Sequence, residues 1–194
     1  MKRLRREEVQ ELADRLVGQL ERWHAEQNRG PLARLRRGLS ETTQQDAWPV
    51  LGRLFGEFAV GNPVFETVAG CFALYPFEKA PPIGNFGETV GRTIPDEKMR
   101  DEKEPHTRFR RLLACDSRDD ICQHVRHAVR LAKSKDVPIN YRQLFLDLWW
   151  WPGFNNRIKI DWAKAYWSVP TDVTDFTLAG VGVPVEEEPV PMPE

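Results

Sequence analysis

The sequence predicts an all-α protein: a compact helical bundle in two helical halves joined by a long loop. Every strong apolar pattern recurs with the 3.6-residue period of a helix, and no strand-length alternation occurs before residue 170. Asn, Ser, Pro and Gly punctuate the ends of the periodic stretches, where helix starts and stops call for them. The halves are expected over 1–79 and 107–170, the loop or linker over 80–106, and a flexible acidic tail over 171–194.

Residues 4–25 place Val9, Leu12, Leu16, Leu20 and Trp23 at helical spacing, with charged residues between. Asn28-Arg29-Gly30-Pro31 ends that helix, and Pro31 suits the first turn of a short second one closed by Gly38. There Leu32 and Leu35 face one way while Arg34, Arg36 and Arg37 cover the rest. No acid within the segment sits at i±3 or i±4 to neutralise them, so a solvated face and a polyanion surface both stay open. Ser40–Asp46 is a polar linker, with Asp46 the expected cap of a helix carrying Trp48, Leu51, Leu54, Phe55 and Phe58. Pro49 is tolerated in its first turn. Asn62 caps the next helix and Pro63 starts it. Val64, Val68, Cys71, Phe72 and Tyr75 make it broad enough in apolar surface to be a buried central element. Cys71 is a small core residue in this reading. Prolines and glycines then punctuate 80–106, which is a long loop with at most one helical turn around Phe86–Val90.

Thr107 is the expected cap of a helix with Phe109, Leu112 and Leu113 inward and Arg108, Arg110 and Arg111 outward. Ser117 caps the following one, with Asp119 and Asp120 favourable in its first turn. Its core spacing is Ile121, Val125, Val129 and Ala132. Arg126, Arg130 and Lys133 fall at i, i+4 and i+7, a basic stripe about 100° round from that core face. Pro138 ends it. Asn140 caps a helix that packs Leu144, Phe145, Leu148 and Trp149 inward. Trp150 and Trp151 cannot both be buried by the same face, and core, interface and base stacking remain open for them. Pro152-Gly153 turns the chain into a last helix with Ile158, Trp162, Ala165 and Tyr166. Leu148 and Trp162 should lie deepest in this half.

A net charge of -1 conceals polarity along the chain. Residues 29–38 hold Arg29, Arg34, Arg36 and Arg37 and no acid; residues 186–194 hold Glu186, Glu187, Glu188 and Glu194 and no base. Three cysteines make no disulfide framework and point to a reducing cytoplasm. No run approaches a membrane span, and no apolar segment follows the charged N-terminus. Cys115, Cys122, His124 and His127 are the sharpest enzymatic suspicion. Their C-x6-C-x-H-x2-H spacing matches no usual zinc pattern, and Cys122 and His124 diverge by about 200° on a helix. No phosphate-binding loop, dinucleotide fingerprint, nucleophile elbow or His-Glu-x2-His helix occurs. The chain is therefore expected to be no enzyme and to carry no cofactor or metal.

In this order, RGPLARLRRG, CFALYP, RFRRLLACDSRDDICQHVRHAVRLAKSKDVPINYRQLFLDLWWW and IDWAKAYW resemble the CasB family. CasB is the small subunit of the type I-E CRISPR surveillance complex, Cascade. The resemblance spans most of 29–167; the loop 80–106 and the tail lie outside it. It implies an all-helical, non-catalytic protein of antiviral defence, working as a pair of copies against the CasC backbone subunits and the large CasA subunit. It also implies a basic surface that holds the guide RNA–target DNA heteroduplex and the displaced DNA strand in the R-loop. Matched segment by segment, Arg34, Arg36 and Arg37 fall in the family's N-terminal basic motif. Arg110 and Arg111 fall in its Arg-Arg pair before Leu-Leu, and Arg126 and Arg130 on its basic helix, where Lys133 completes the stripe. The basic helical faces alone suit the same class: base pairing can carry the sequence information, leaving the protein phosphates and shape. Two other classes stand beside it: a helical protein–protein adaptor whose arginines meet acidic partners, and a small metal-dependent nucleic-acid enzyme built on Cys122 and the histidines.

Overall fold

The computed structural model describes residues 4–76, 84–94 and 103–168. Nine α-helices and three short 3-10 segments occur among them, and no strand. The helices are α1 (Arg6–Ala25), α2 (Arg29–Arg37), α3 (Trp48–Phe55), α4 (Pro63–Leu74), α5 (Phe86–Arg92), α6 (Lys103–Ala114), α7 (Arg118–Ser134), α8 (Tyr141–Trp149) and α9 (Arg157–Trp167). Among the described residues no helix is long and apolar enough to cross a membrane.

Three caps form as their residue types require. Asn62 accepts from the Val64 amide at 3.1 Å, Ser117 from Asp120 at 3.1 Å and Asn140 from Gln143 at 3.0 Å. Two expected caps do not form. Asp46 closes a 3-10 segment, Glu41–Asp46, in the stretch expected as a linker, and Ala47 precedes α3. Thr107 lies inside α6, which begins at Lys103.

Helix α4 is the centre of the molecule. Its residues from Val64 to Phe72 are all buried, so it meets neighbours on every side. The Phe65 ring packs against Phe55 at 4.9 Å, Phe145 at 5.1 Å and Phe58 at 5.9 Å. Its C-terminal carbonyls find donors from the other half of the chain: Tyr141 Oη donates to Cys71 O at 3.1 Å and Tyr75 O at 2.6 Å. Helix α1 buries Val9, Ala13, Leu16, Val17 and Leu20 and lies on α4 and α8. The Arg142 guanidinium crosses to both Glu21 oxygens, at 2.8 and 2.7 Å. The two expected halves thus share one core.

The stretch expected as a loop contains α5, a helix of two turns seated on α9. Asn85 caps α5 through the Gly87 and Glu88 amides, and its Nδ2 donates to Asp161 O at 3.1 Å. Gly87 allows the close approach. A Cβ there would fall onto the Trp162 carbonyl, 2.6 Å from its carbon and 2.7 Å from Cα. Phe86 stacks obliquely on Trp162 at 5.3 Å.

Leu148 and Trp162 are fully buried, as expected. The tryptophan run divides. Trp149 and Trp151 are buried, and Trp151 Nε1 donates to Cys115 O at 3.0 Å, while Trp150 is 36% exposed. The chain leaves α8 at Trp150, so Trp151 turns back inward where helical periodicity no longer applies.

Trp162 Nε1 donates to Asp147 Oδ2 at 2.6 Å, and Gln143 Nε2 to Oδ1 at 2.8 Å. Burial raises the Asp147 carboxyl from 3.8 to about 6, against the pull of those two hydrogen bonds. The folded protein holds this proton more tightly than the unfolded chain does. The group's contribution to stability is therefore complete below about pH 3.8 and is lost as pH rises through about 6. The loss is about 3 kcal/mol. Asp147→Asn keeps an acceptor for Trp162 and removes the titration. Its stability relative to wild type, from urea unfolding at pH 4, 5.5 and 7.5, is expected to improve as pH rises across that window. A difference that does not change with pH would mean that Asp147 does not titrate there.

Candidate nucleic-acid interface

Leu35 has no exposed surface and Leu32 is half-buried, so α2 turns its other sides outward. Arg34, Arg36 and Arg37 are all exposed on it. Asp46, from outside the segment, takes one of them: Arg37 Nε lies 2.8 Å from its carboxylate. The pair is open to water and worth at most about 1 kcal/mol.

The stripe on α7 runs alongside α4. Arg126 donates from Nε to Thr67 Oγ1 at 3.1 Å and from Nη1 to Leu39 O, just past α2, at 3.3 Å. Lys133 Nζ donates to Leu74 O at 2.9 Å, at the C-terminus of α4 where a cation suits the exposed carbonyls. Thr67 to Leu74 and Arg126 to Lys133 are equal steps along two helices, so α4 and α7 run parallel and in register. Arg130, between them, is exposed, with His127 Nδ1 3.4 Å from its Nη1.

Two members of the stripe are thus also struts, a role that sequence spacing does not reveal. Their acceptors lie 87 and 59 positions away, and backbone carbonyls leave no trace in residue type. Arg126 joins the C-terminal end of α2 to α7. The exposed Arg36 and Arg37 on α2 and the exposed Arg130 and Lys133 on α7 thus belong to two helices that share α4 as a neighbour.

Helix α4 also carries a buried carboxylate. Glu66 is 1% exposed and accepts from Trp48 Nε1 at 2.7 Å and Gln44 Nε2 at 3.0 Å. Burial raises its carboxyl; the Trp48 hydrogen bond and the Arg126 charge oppose that. Nothing in the sequence marks Glu66, which looks like an ordinary first-turn acid of α4.

Arg110 and Arg111 are exposed on the last turns of α6, beside the start of α7. From Arg118 to Arg126 is about 12 Å along α7. They form a second basic pair, and among the described contacts none ties them to α2.

The cysteines and histidines do not converge. Cys115 and Cys122 are buried, the latter pushed up to about 12 by desolvation, as is Cys71. His124 and His127 face solvent. Among the described residues no group of three or more His, Cys, Asp or Glu could hold a metal ion.

The two arginines of the stripe separate in stability. Arg126→Ala removes two hydrogen bonds, one to a backbone carbonyl, and should cost about 1–3 kcal/mol. Arg130→Ala should stay within about 0.5 kcal/mol. Thermal unfolding of the two variants decides it; equal effects would remove the distinction between strut and exposed cation.

Residues 31–167, more than half of the chain, match the sequence pattern of the family described as CRISPR-associated protein Cse2. The crystal structure of CasB from Thermobifida fusca superposes with a TM-score of 0.61 at 18% identity. The alignment covers 81% of this chain and 97% of that one. At that identity the likeness is one of fold. No curated protein sequence matches the chain.

Proposed function

The chain belongs to the CRISPR-associated Cse2 family, small subunits of type I-E Cascade, and from that premise we propose that it holds DNA in the complex without catalysing a reaction. The α2–α7 surface grips phosphates of the target strand paired to guide RNA and of the displaced strand, which stabilises the R-loop in antiviral defence in the cytoplasm. The observation that supports this reading is the pair of Arg126 hydrogen bonds, which ties the basic helix α7 to α4 and to the end of the basic helix α2. Arg34, Arg36, Arg37 and Arg130 are the exposed contacts. Arg126 and Lys133, anchored to protein acceptors, add fixed positive field, and Arg110 with Arg111 extends it past the start of α7.

A near-neutral chain binds polyanions weakly alone and strongly when aligned with other subunits. Phe154 before the start of α9, and Ile160 and Trp167 seven residues apart on it, are 88%, 48% and 55% exposed. They suit contacts to a second copy, to the CasC backbone or to CasA.

The test is an Arg36→Ala, Arg37→Ala, Arg130→Ala variant, assembled with its partners and titrated on matched DNA at several salt concentrations. The slope of log affinity against log salt should fall by about 2–3, and affinity should weaken by a similar factor for every target sequence. Guide RNA should stay bound. Normal incorporation with unchanged slope would assign the arginines to acidic protein partners instead, the adaptor reading.

A further inference from the structure

A cleft of about 290 Å³ opens where the end of α1, the start of α2 and α3 meet. Trp23, Pro31, Pro49 and Leu54 make its walls, and Arg34 and Arg53 stand on its rim. No carboxylate lines it, and both arginines are exposed. An apolar trough walled by tryptophan and proline, under two cations, suits an extended acidic peptide that carries small apolar residues.

The chain itself supplies such a peptide. Residues 183–194 read VPVEEEPVPMPE: prolines and valines around Glu186, Glu187 and Glu188. From residue 169 onward the chain has no Lys or Arg. We propose that this segment docks in the Trp23 cleft of its own chain, with its glutamates against Arg34 and Arg53 and its Pro-Val residues on the indole wall.

Reach permits it. Glu186 is 18 positions beyond Ser168, the last described residue, so the intervening chain can span about 60 Å. A domain of this size is about 40 Å across. A tether of this kind supplies an effective concentration on the order of 1 mM, so a dissociation constant tenfold below that leaves the cleft about 90% filled. Proline-rich peptide also loses little entropy on docking, being extended beforehand. Docking would occupy Arg34, a member of the proposed DNA surface, yet it is measurable with no nucleic acid present and stands apart from that reading.

The experiment is ¹⁵N–¹H NMR of the full chain, with the Trp23 indole resonance assigned through Trp23→Phe. The triple variant Glu186→Gln, Glu187→Gln, Glu188→Gln should shift that resonance. Adding the unlabelled peptide 183–194 to the variant should return it towards the wild-type position. Arg34→Ala with Arg53→Ala should weaken that titration at least tenfold. The wild-type resonance should not change on dilution. A Trp23 signal that is blind to both the triple variant and the peptide overturns the proposal. So does one that moves on dilution, which would assign the cleft to the tail of a second copy. A thymidine oligonucleotide that shifts the wild type as readily as the variant also overturns it, because the cleft would then stand open.

Discussion

Gly87→Ala is expected to destabilise the protein by about 3 kcal/mol or more. In an isolated helix the same change would stabilise, since alanine is the better helix former by about 1 kcal/mol. The sign reverses because the added carbon meets backbone: the Trp162 carbonyl carbon at 2.6 Å and Cα at 2.7 Å. A flexible side chain could rotate away, but the carbonyl of a packed helix cannot. Helices α5 and α9 must separate, which also strains the Asn85–Asp161 hydrogen bond. Gly18 is the control. A carbon there meets nothing within 4 Å, so Gly18→Ala in α1 should gain about 0.5–1 kcal/mol. Urea unfolding of both full-length variants gives the comparison. A neutral Gly87→Ala would show that α5 and α9 have room for a methyl group between them.

Trp162→Ala should cost about 3–5 kcal/mol. The side chain is fully buried, touches the Phe86 and Trp151 rings at 5.3 and 4.8 Å, and gives Asp147 one of its two donors. Trp162→Phe separates the parts. It keeps most of the apolar volume and deletes the indole N–H, which at present draws the Asp147 carboxyl down from a still higher value. The Phe variant should therefore lose less stability at acidic pH than at neutral pH, and its pH window should move upward. A uniform loss at all pH values would mean that volume alone accounts for Trp162.

Much of this architecture is legible in residue order. The apolar spacing of α1, α7 and α8 survives folding, because those helices bury a face set by their own period, while α4, broad in apolar surface, is covered on every side. Asn62, Ser117 and Asn140 each cap the helix that begins after them, because a cap is a local interaction. Helix α5 escapes a sequence reading for the opposite reason. It has seven residues, among them Gly87, Gly91 and the polar Glu88, and its order depends on Trp162 and Asp161 far along the chain. Periodicity leaves Trp151 undecided because its burial comes after a turn. The basic surface is legible as charge: spacing alone puts Arg126, Arg130 and Lys133 on one stripe. Which of them reach protein acceptors is not legible, since Leu39 O and Leu74 O are carbonyls that every residue type carries.

The seat of α5 on α9 bears on how this chain would survive being cut. Asn85, Phe86 and Gly87 tie α5 to α9, and Thr89 Oγ1 donates to Pro138 O at 3.2 Å. None of these ties runs through the peptide bonds on either side of α5. A protease cut engineered between residues 95 and 102 places α5 in one fragment and α9 in the other, and the two should therefore stay together through gel filtration and still melt as one unit. The same cut in a Gly87→Ala chain should weaken their association. Backbone continuity and structural continuity part company at this helix, which makes residues 95–102 a natural place to divide the gene into two complementing pieces.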